Sequence, residues 1–256
     1  MKEIFGVRAD EYSLQIILEM VKKAIEDKQK VHIVTLNTEM LMAAKTDPNL
    51  KYVINKAEIV VPESSGIYLA DNFLSAKKGN KIVRLFISTW QTILGKNTSL
   101  PTRISGVDLS YLIAGLCSEF GYTLLLLGGG EGVAEEAAKN LKVEFKNLKA
   151  EGLYGGLAGS KELVEQVKQI KADVIFVAFG HGRQEKWLAA NLNQIPAFVG
   201  IGVGGSLDYF AHRVPRAPEV VRNLGLEWAF RLLVQPWRFK RQTSLITFIK
   251  ELWKIG

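Results

Sequence analysis

The chain has a single cysteine, Cys117, among 256 residues. That excludes an internal disulfide and a cysteine metal cluster, and it fits a reducing compartment. No apolar run approaches the roughly 18 residues needed to cross a bilayer. The N-terminus lacks the apolar stretch of a secretory signal, so a cytoplasmic protein is expected. No Asp-x-Asp pair occurs, so the metal–diphosphate clamp of many sugar-nucleotide enzymes is not visible. Histidine is scarce, at three residues. His32 lies in an apolar run and reads as core, as does Cys117 in a helical pattern. His212 reads as structural, and His181, in a Gly-His-Gly turn, is assigned no role. Internal repeats and low-complexity tracts are missing too.

Acidic residues run short in one region. From 212 to 256, nine lysines and arginines stand against three glutamates, and this segment carries six of the chain's net +7 charge. Such asymmetry points to an anionic partner. Trp228, Trp237, Phe239, Phe248 and Trp253 interleave with the basic residues, which is the composition of a helix lying in a membrane interface. An anionic membrane surface is therefore expected, and no nucleic acid, which would call for a basic groove on the folded domain.

What is present is alternation. Strands are expected over 31–37, 57–62, 122–127, 173–179 and 197–203. Helical patterns cover 11–26, 38–45, 66–76, 108–119 and 160–170, with Ser160 as an N-cap, and another ends at 141. The order predicts an α/β fold, Rossmann-like, whose mostly parallel sheet is covered by helices on both faces. Ligands of such sheets sit beyond the carboxyl ends of the strands. The loops at 35–38, 62–66, 128–131, 180–184 and 203–206 would then share one edge. Residues 77–100 break the rhythm, opening on Lys77 and Lys78 and closing on Lys96 and the three residues after it. They read as a partly helical insertion in a core of 1–211, and 212–256 as a basic amphipathic helical appendage.

Two glycine-rich strand ends, at Phe179-Gly-His-Gly-Arg183 and Gly202-Val-Gly-Gly205, offer backbone N–H groups to an anion. With Arg213, Arg216 and Arg222 they suggest a nucleotide-diphosphate pocket, although any one of these arginines equally suits a basic helix face. Gly128 and Gly129 offer a similar turn, as does Gly130, and plain chain geometry explains such a turn as readily.

These motifs resemble the WecG/TagA/CpsF family of glycosyltransferases (glycosyltransferase family 26), whose members are N-acetylmannosaminyltransferase-like. The similarity rests on Thr35-Leu-Asn37, Arg103-Ile-Ser-Gly-Val-Asp108, Gln184-Glu-Lys-Trp187, Gly202-Val-Gly-Gly205, Arg216-Ala-Pro218 and Gly225-Leu-Glu-Trp228, in that order along nearly the whole chain. Each is weak alone; the order makes the match specific. The resemblance implies an inverting, metal-independent enzyme with no cofactor, peripheral on the inner face of a bacterial membrane. It implies transfer of an N-acetylmannosamine-type or related sugar from a UDP donor to a polyprenyl-diphosphate-linked acceptor. The products of such reactions are teichoic acid linkage units, common antigen or capsule. Homo-oligomerisation is left open. Where the family usually has Pro-Asp-Gly, this chain has Pro62-Glu63-Ser64, and the 77–100 segment is longer than the family's usual spacing.

Displacement of UDP by a sugar hydroxyl needs a base for the proton and a positive environment for the leaving diphosphate. Glu63 falls in the position of the family's proposed base and is the expected catalytic base; without the resemblance it would read as a solvated loop carboxylate. Arg103 offers a fork to phosphate or sugar hydroxyl, or a surface ion pair. Thr35 and Asn37 suit hydroxyl or amide contacts, or strand-end capping. Gln184, at a helix start, suits the donor or a cap. Two other classes stay open from residues alone: a Rossmann oxidoreductase, for which the mid-chain Gly128 turn is a poor fingerprint, and a non-catalytic membrane binder.

Overall fold

The computed structural model describes residues 2–76, 79–95, 100–156, 158–224, 226–236, 239 and 243–255. Expectations that fall on Lys77, Lys78, residues 96–99, Gly225, Trp237, Arg238, Lys240 and Arg241 lie outside the described residues.

The chain opens with a hairpin, β1 (Lys2–Ile4) paired antiparallel with β2 (Val7–Ala9). Phe5 and Gly6 at its turn both take positive φ, 54° and 77°, as a two-residue type I′ turn requires. The left-handed Phe5 is offset by packing, its ring meeting Phe248 edge-on at 6.0 Å. There follow α1 (Leu14–Glu26), β3 (Val31–Leu36), α2 (Thr38–Thr46), α3 (Pro48–Lys56), β4 (Ile59–Pro62), α4 (Ser65–Ser75), α5 (Lys81–Ile93), α6 (Gly106–Phe120), β5 (Thr123–Gly128) and α7 (Val133–Glu144). The second half holds β6 (Lys149–Leu153), α8 (Lys161–Gln169), β7 (Val174–Ala178), α9 (Arg183–Asn191), β8 (Val199–Gly202), α10 (Ser206–Phe210), α11 (Glu219–Asn223), α12 (Glu227–Val234) and α13 (Thr243–Ile255).

The main sheet has the order β4-β3-β8-β7-β5-β6, and every neighbouring pair is parallel. Both faces are covered, as expected. Side chains alternate across each strand. Ile33, Val61, Leu126 and Phe176 pack with Val21 of α1, Ile113 of α6 and Ala137 of α7. On the other face Val34, Leu36 and Val60 meet Met40, Ile54 and Phe73 of α2, α3 and α4. Further along that face Leu127 and Val177 meet Val167 of α8 and Leu188 of α9. Burial on both faces is why Leu124, Leu125, Leu126 and Leu127 form an unbroken apolar run, each with no exposed area. His32 is buried in β3, and desolvation pulls its pKa down to about 4. Cys117 is buried in α6, where desolvation pushes the thiol up to about 12.

The end of the chain is tied to this core. Phe248 and Leu252 of α13 are buried in the cluster that α2 also fills, and Lys45 pairs with Glu251. Phe248, expected on a membrane-facing stripe, is a core residue instead, because it closes over the Phe5 turn. A parallel sheet puts the carboxyl ends of β3, β4, β5, β7 and β8 on one edge, and that edge carries the site.

Candidate active site

A cleft of about 510 Å³ runs along this edge, within the usual range for small-molecule sites. The helices that begin beside it include α2 after Asn37, α4 after Ser64, α6 after Ser105 and α9 after Gly182. Unpaired N–H groups and aligned dipoles at helix starts favour negative charge. Asn37 caps α2 by accepting from the Met40 N–H at 2.9 Å, and Ser105 caps α6 by accepting from Asp108 at 3.1 Å. Ser64 ties two strand exits together: its Oγ accepts from the Thr38 N–H at 3.0 Å and lies 2.8 Å from the Thr38 hydroxyl.

Glu63 follows β4 directly. Its own N–H donates to Leu36 O at 2.9 Å, continuing the ladder one residue past the strand. Its Oε1 accepts from the Gly106 N–H at 2.9 Å, so the carboxylate is tethered to the start of α6. A Cβ at position 106 would stand 2.9 Å from that oxygen, and only glycine permits the approach. The side chain keeps partial exposure toward the cleft, but desolvation raises the carboxyl's pKa. The Gly106 N–H and His181 oppose that shift, and Glu227 adds to it. Asn37 also favours the charged form. Thr35, buried on β3, donates from Oγ1 to Gly202 O at 3.2 Å and so bridges two strand exits.

Gln184 and Glu185 open α9 from below the cleft. Glu185 is fully buried, accepts from the Gly182 N–H at 2.7 Å, and takes a 2.8 Å bond from Gln184 Nε2. Burial raises its pKa. A side chain at Gly202 would collide with both residues. Gln184 is 1% exposed, and its Oε1 has no partner although the residue lines the cleft. An unmade bond at a buried amide oxygen is costly, and a ligand N–H or O–H would satisfy it.

Arg103 lines the cleft, and its Nη2 donates to the Arg222 carbonyl at 2.5 Å. Arg216 donates to Asp108 Oδ1 at 2.5 Å and to Ser105 Oγ at 3.2 Å, while Arg222 stands 3.8 Å from the same aspartate. Arg216 and Arg222 therefore gather around the start of α6, behind Arg103, and neither lines the cleft itself. Arg213 goes elsewhere: it pairs with Glu136 on α7 at 2.8 Å and with the Glu131 carbonyl, and it does not line the cleft. Gly129, Gly204 and Gly205 line it; Gly128 does not. Gly128 is instead a packing glycine, since a side chain there would meet Phe179 and the Ala178 carbonyl at 2.9 Å.

Lining groups that the sequence did not assign to the site include Arg231, His181 and Glu39. Arg231 reaches the Gly205 carbonyl at 3.5 Å and Asp208 at 3.3 Å, with its guanidinium 4.9 Å from the Tyr209 ring centre. Its signal was the spacing of four from Glu227, which puts both on one face of α12. His181 Nε2 lies 3.0 Å from Glu39 Oε2, and His181 Nδ1 lies 3.4 Å from Asn37 Nδ2. Glu39 carried no pattern that distinguishes it from other first-turn acids.

Comparison with known proteins identifies the family. The model of the glycosyl transferase WecG/TagA/CpsF family matches residues 2–90 and 85–255. The chain is 28% identical over 235 residues to an N-acetylglucosaminyldiphosphoundecaprenol N-acetyl-beta-D-mannosaminyltransferase of Bacillus subtilis, covering 90% of this chain and 83% of that protein. It is also 28% identical over 255 residues to the protein of that name from Staphylococcus aureus, covering 98% and 92%. The Rossmann oxidoreductase reading is thereby set aside. Matched along almost its full length, the chain belongs to the WecG/TagA/CpsF family of glycosyltransferases.

Proposed function

We propose that the protein transfers an N-acetylmannosamine-type sugar from a UDP donor to a polyprenyl-diphosphate-linked N-acetylglucosamine, with inversion. The names of its relatives support the acceptor and the sugar. The observation that carries the mechanism is the Glu63 carboxylate, held on the Gly106 N–H in a cleft that helix starts make receptive to phosphate.

Glu63 takes the proton of the acceptor hydroxyl. The hydroxyl oxygen bonds to the anomeric carbon while the bond from that carbon to the UDP β-phosphate oxygen breaks, and its electron pair leaves with UDP. One displacement inverts the centre. A raised pKa makes Glu63 a stronger base than a solvated glutamate. Helix starts together with Arg103, Arg216, Arg222 and Arg231 offset the charge gained by the diphosphate, the part a metal plays in other sugar-nucleotide enzymes. Thr35, Asn37 and Gln184 contact the sugar and the nucleotide, with the Gln184 oxygen accepting from the donor. Gly129, Gly204 and Gly205 let the donor's phosphates approach the backbone.

The basic segment 212–256 holds the enzyme on the inner, cytoplasmic face of the membrane that carries the acceptor. No described helix is long and apolar enough to cross that membrane. The test is UDP release and product mass with UDP-N-acetylmannosamine and a short-chain polyprenyl-diphosphate N-acetylglucosamine. Transfer to that acceptor is expected; failure to transfer from any UDP-sugar to any diphosphate-linked sugar would overturn the proposal.

A further inference from the structure

Helix α5 is built inside out. Ser88 is fully buried, while Ile82, Phe86 and Trp90 are 69%, 73% and 57% exposed. Their spacing of four makes one stripe, and Val83, Ile87, Ile93 and Leu94, also exposed, broaden it. The polar side faces the protein. Arg84 Nη2 donates to Phe73 O at 2.7 Å, and the Thr92 hydroxyl accepts from Asn72 at 3.0 Å. A contiguous apolar face of this size in a water-soluble chain marks a surface that something covers.

Charge identifies the cover. Between Asp71 and Asp108 the sequence has no acidic residue and six basic ones, at Lys77, Lys78, Lys81, Arg84, Lys96 and Arg103. A broad apolar stripe flanked only by cations suits an anionic lipid surface. The position agrees. Lys81 Nζ donates to the Trp253 carbonyl at 3.1 Å, so α5 lies alongside the end of α13, where Trp253 and Ile255 are exposed. The helix it packs on, α4, starts at the cleft, and the chain leaving α5 comes back to the cleft at Arg103.

We propose that α5 is an interfacial helix that docks on an anionic bilayer by inserting Phe86 and Trp90, in addition to any attachment made by the basic C-terminal segment. It rests on the proposed function only in that a lipid-borne acceptor gives docking a purpose.

The test uses the full chain and vesicles of phosphatidylglycerol and phosphatidylcholine in equal parts. Replacing Phe86→Ser and Trp90→Ser together lowers the partition coefficient about tenfold or more, since two large apolar side chains no longer leave water. Turnover with a water-soluble short-chain acceptor stays unchanged. A second readout introduces a thiol by Phe86→Cys and labels it with a polarity-sensitive dye; buried Cys117 does not compete. The dye shifts to the blue on these vesicles, whereas the same dye placed by Val143→Cys, at an exposed site on α7, does not. An unchanged partition coefficient in the double variant would overturn the proposal, as would equal dye responses at both positions. So would a blue shift that grows with protein concentration without lipid, because a second copy would then be the cover. Binding is read without turnover, so failure of the proposed reaction does not decide this test.

Discussion

Thr35 stands on β3 and Glu63 directly after β4, both strands buried along their length; Thr35 bonds to the end of β8 and the Glu63 N–H to the end of β3, with Gln184 at the buried start of α9 beside them. Arg216, Arg222 and Arg231 belong to a segment whose short helices α11 and α12 carry no fully buried residue among those whose side chains are described, and whose large apolar side chains at Val220, Leu224, Leu226, Trp228 and Leu233 are exposed. The two walls of the cleft thus differ in what holds them. One is set by the sheet. The other is held mostly by ion pairs to Asp108 and Asp208. Half-exposed ion pairs are weak tethers, each worth roughly 0–1 kcal/mol. The proposed base therefore sits on the rigid wall, and the charge proposed to stabilise a leaving diphosphate sits on the looser one.

The comparison breaks first at α13. Phe248→Ala leaves a cavity in the shared core and should cost about 3–5 kcal/mol, read as a fall in the denaturation midpoint of the whole protein. If the core's midpoint stayed put and only α13 came loose, α13 would be a separate body from the core it packs on. On the rigid wall, Glu63→Gln should lower kcat on the order of a hundredfold while calorimetry shows donor binding intact, and Glu63→Asp should keep activity. Only the ionised carboxyl serves as a base, so the rate falls as pH drops through its pKa. Because burial raises that pKa above the ordinary 4.5, the acid limb should lie above 4.5. An acid limb at or below 4.5 would mean another group carries the proton.

On the looser wall the effects should be smaller. Arg216→Ala should cost about tenfold in kcat, because Arg103 and Arg231 remain. Arg213→Ala, remote from the cleft on Glu136, should change the rate less than about twofold. Equal losses at the two positions would erase the distinction between an arginine at the start of α6 and one paired on α7. The smallest effect expected is none: EDTA should leave turnover unchanged. Loss of activity to EDTA and its return with magnesium would show that the arginines do not suffice.

Much of the sheet was legible because its strands are buried on both faces and therefore read as unbroken apolar runs. Strand β6, Lys-Ala-Glu-Gly-Leu, was not legible: it is an edge strand, exposed at Lys149 and Glu151. The opening hairpin hid behind a turn with Phe5 where asparagine or glycine usually signals one, and the reason, Phe248, lies at the far end of the chain. Helix α3 carried a readable sign, Asp47 as cap with Pro48 in the first turn, that went unused. In the site, the residues at strand exits were found because a parallel sheet fixes where exits go. The arginines were harder. Net charge counts cations without saying which carboxylate each will meet, so Arg213 and Arg216 looked alike until Glu136 and Asp108 separated them.

The tether between Glu63 and the Gly106 N–H has a consequence for regiochemistry. A carboxylate free to spin on its stem could take a proton from any nearby alcohol. One pinned at Oε1 by a backbone amide presents its remaining lone pairs along a restricted direction. For a base held that way, the ring position of the acceptor alcohol decides whether its proton can be reached. The linkage position would then be written into a backbone amide of α6 rather than into any side chain that touches the acceptor.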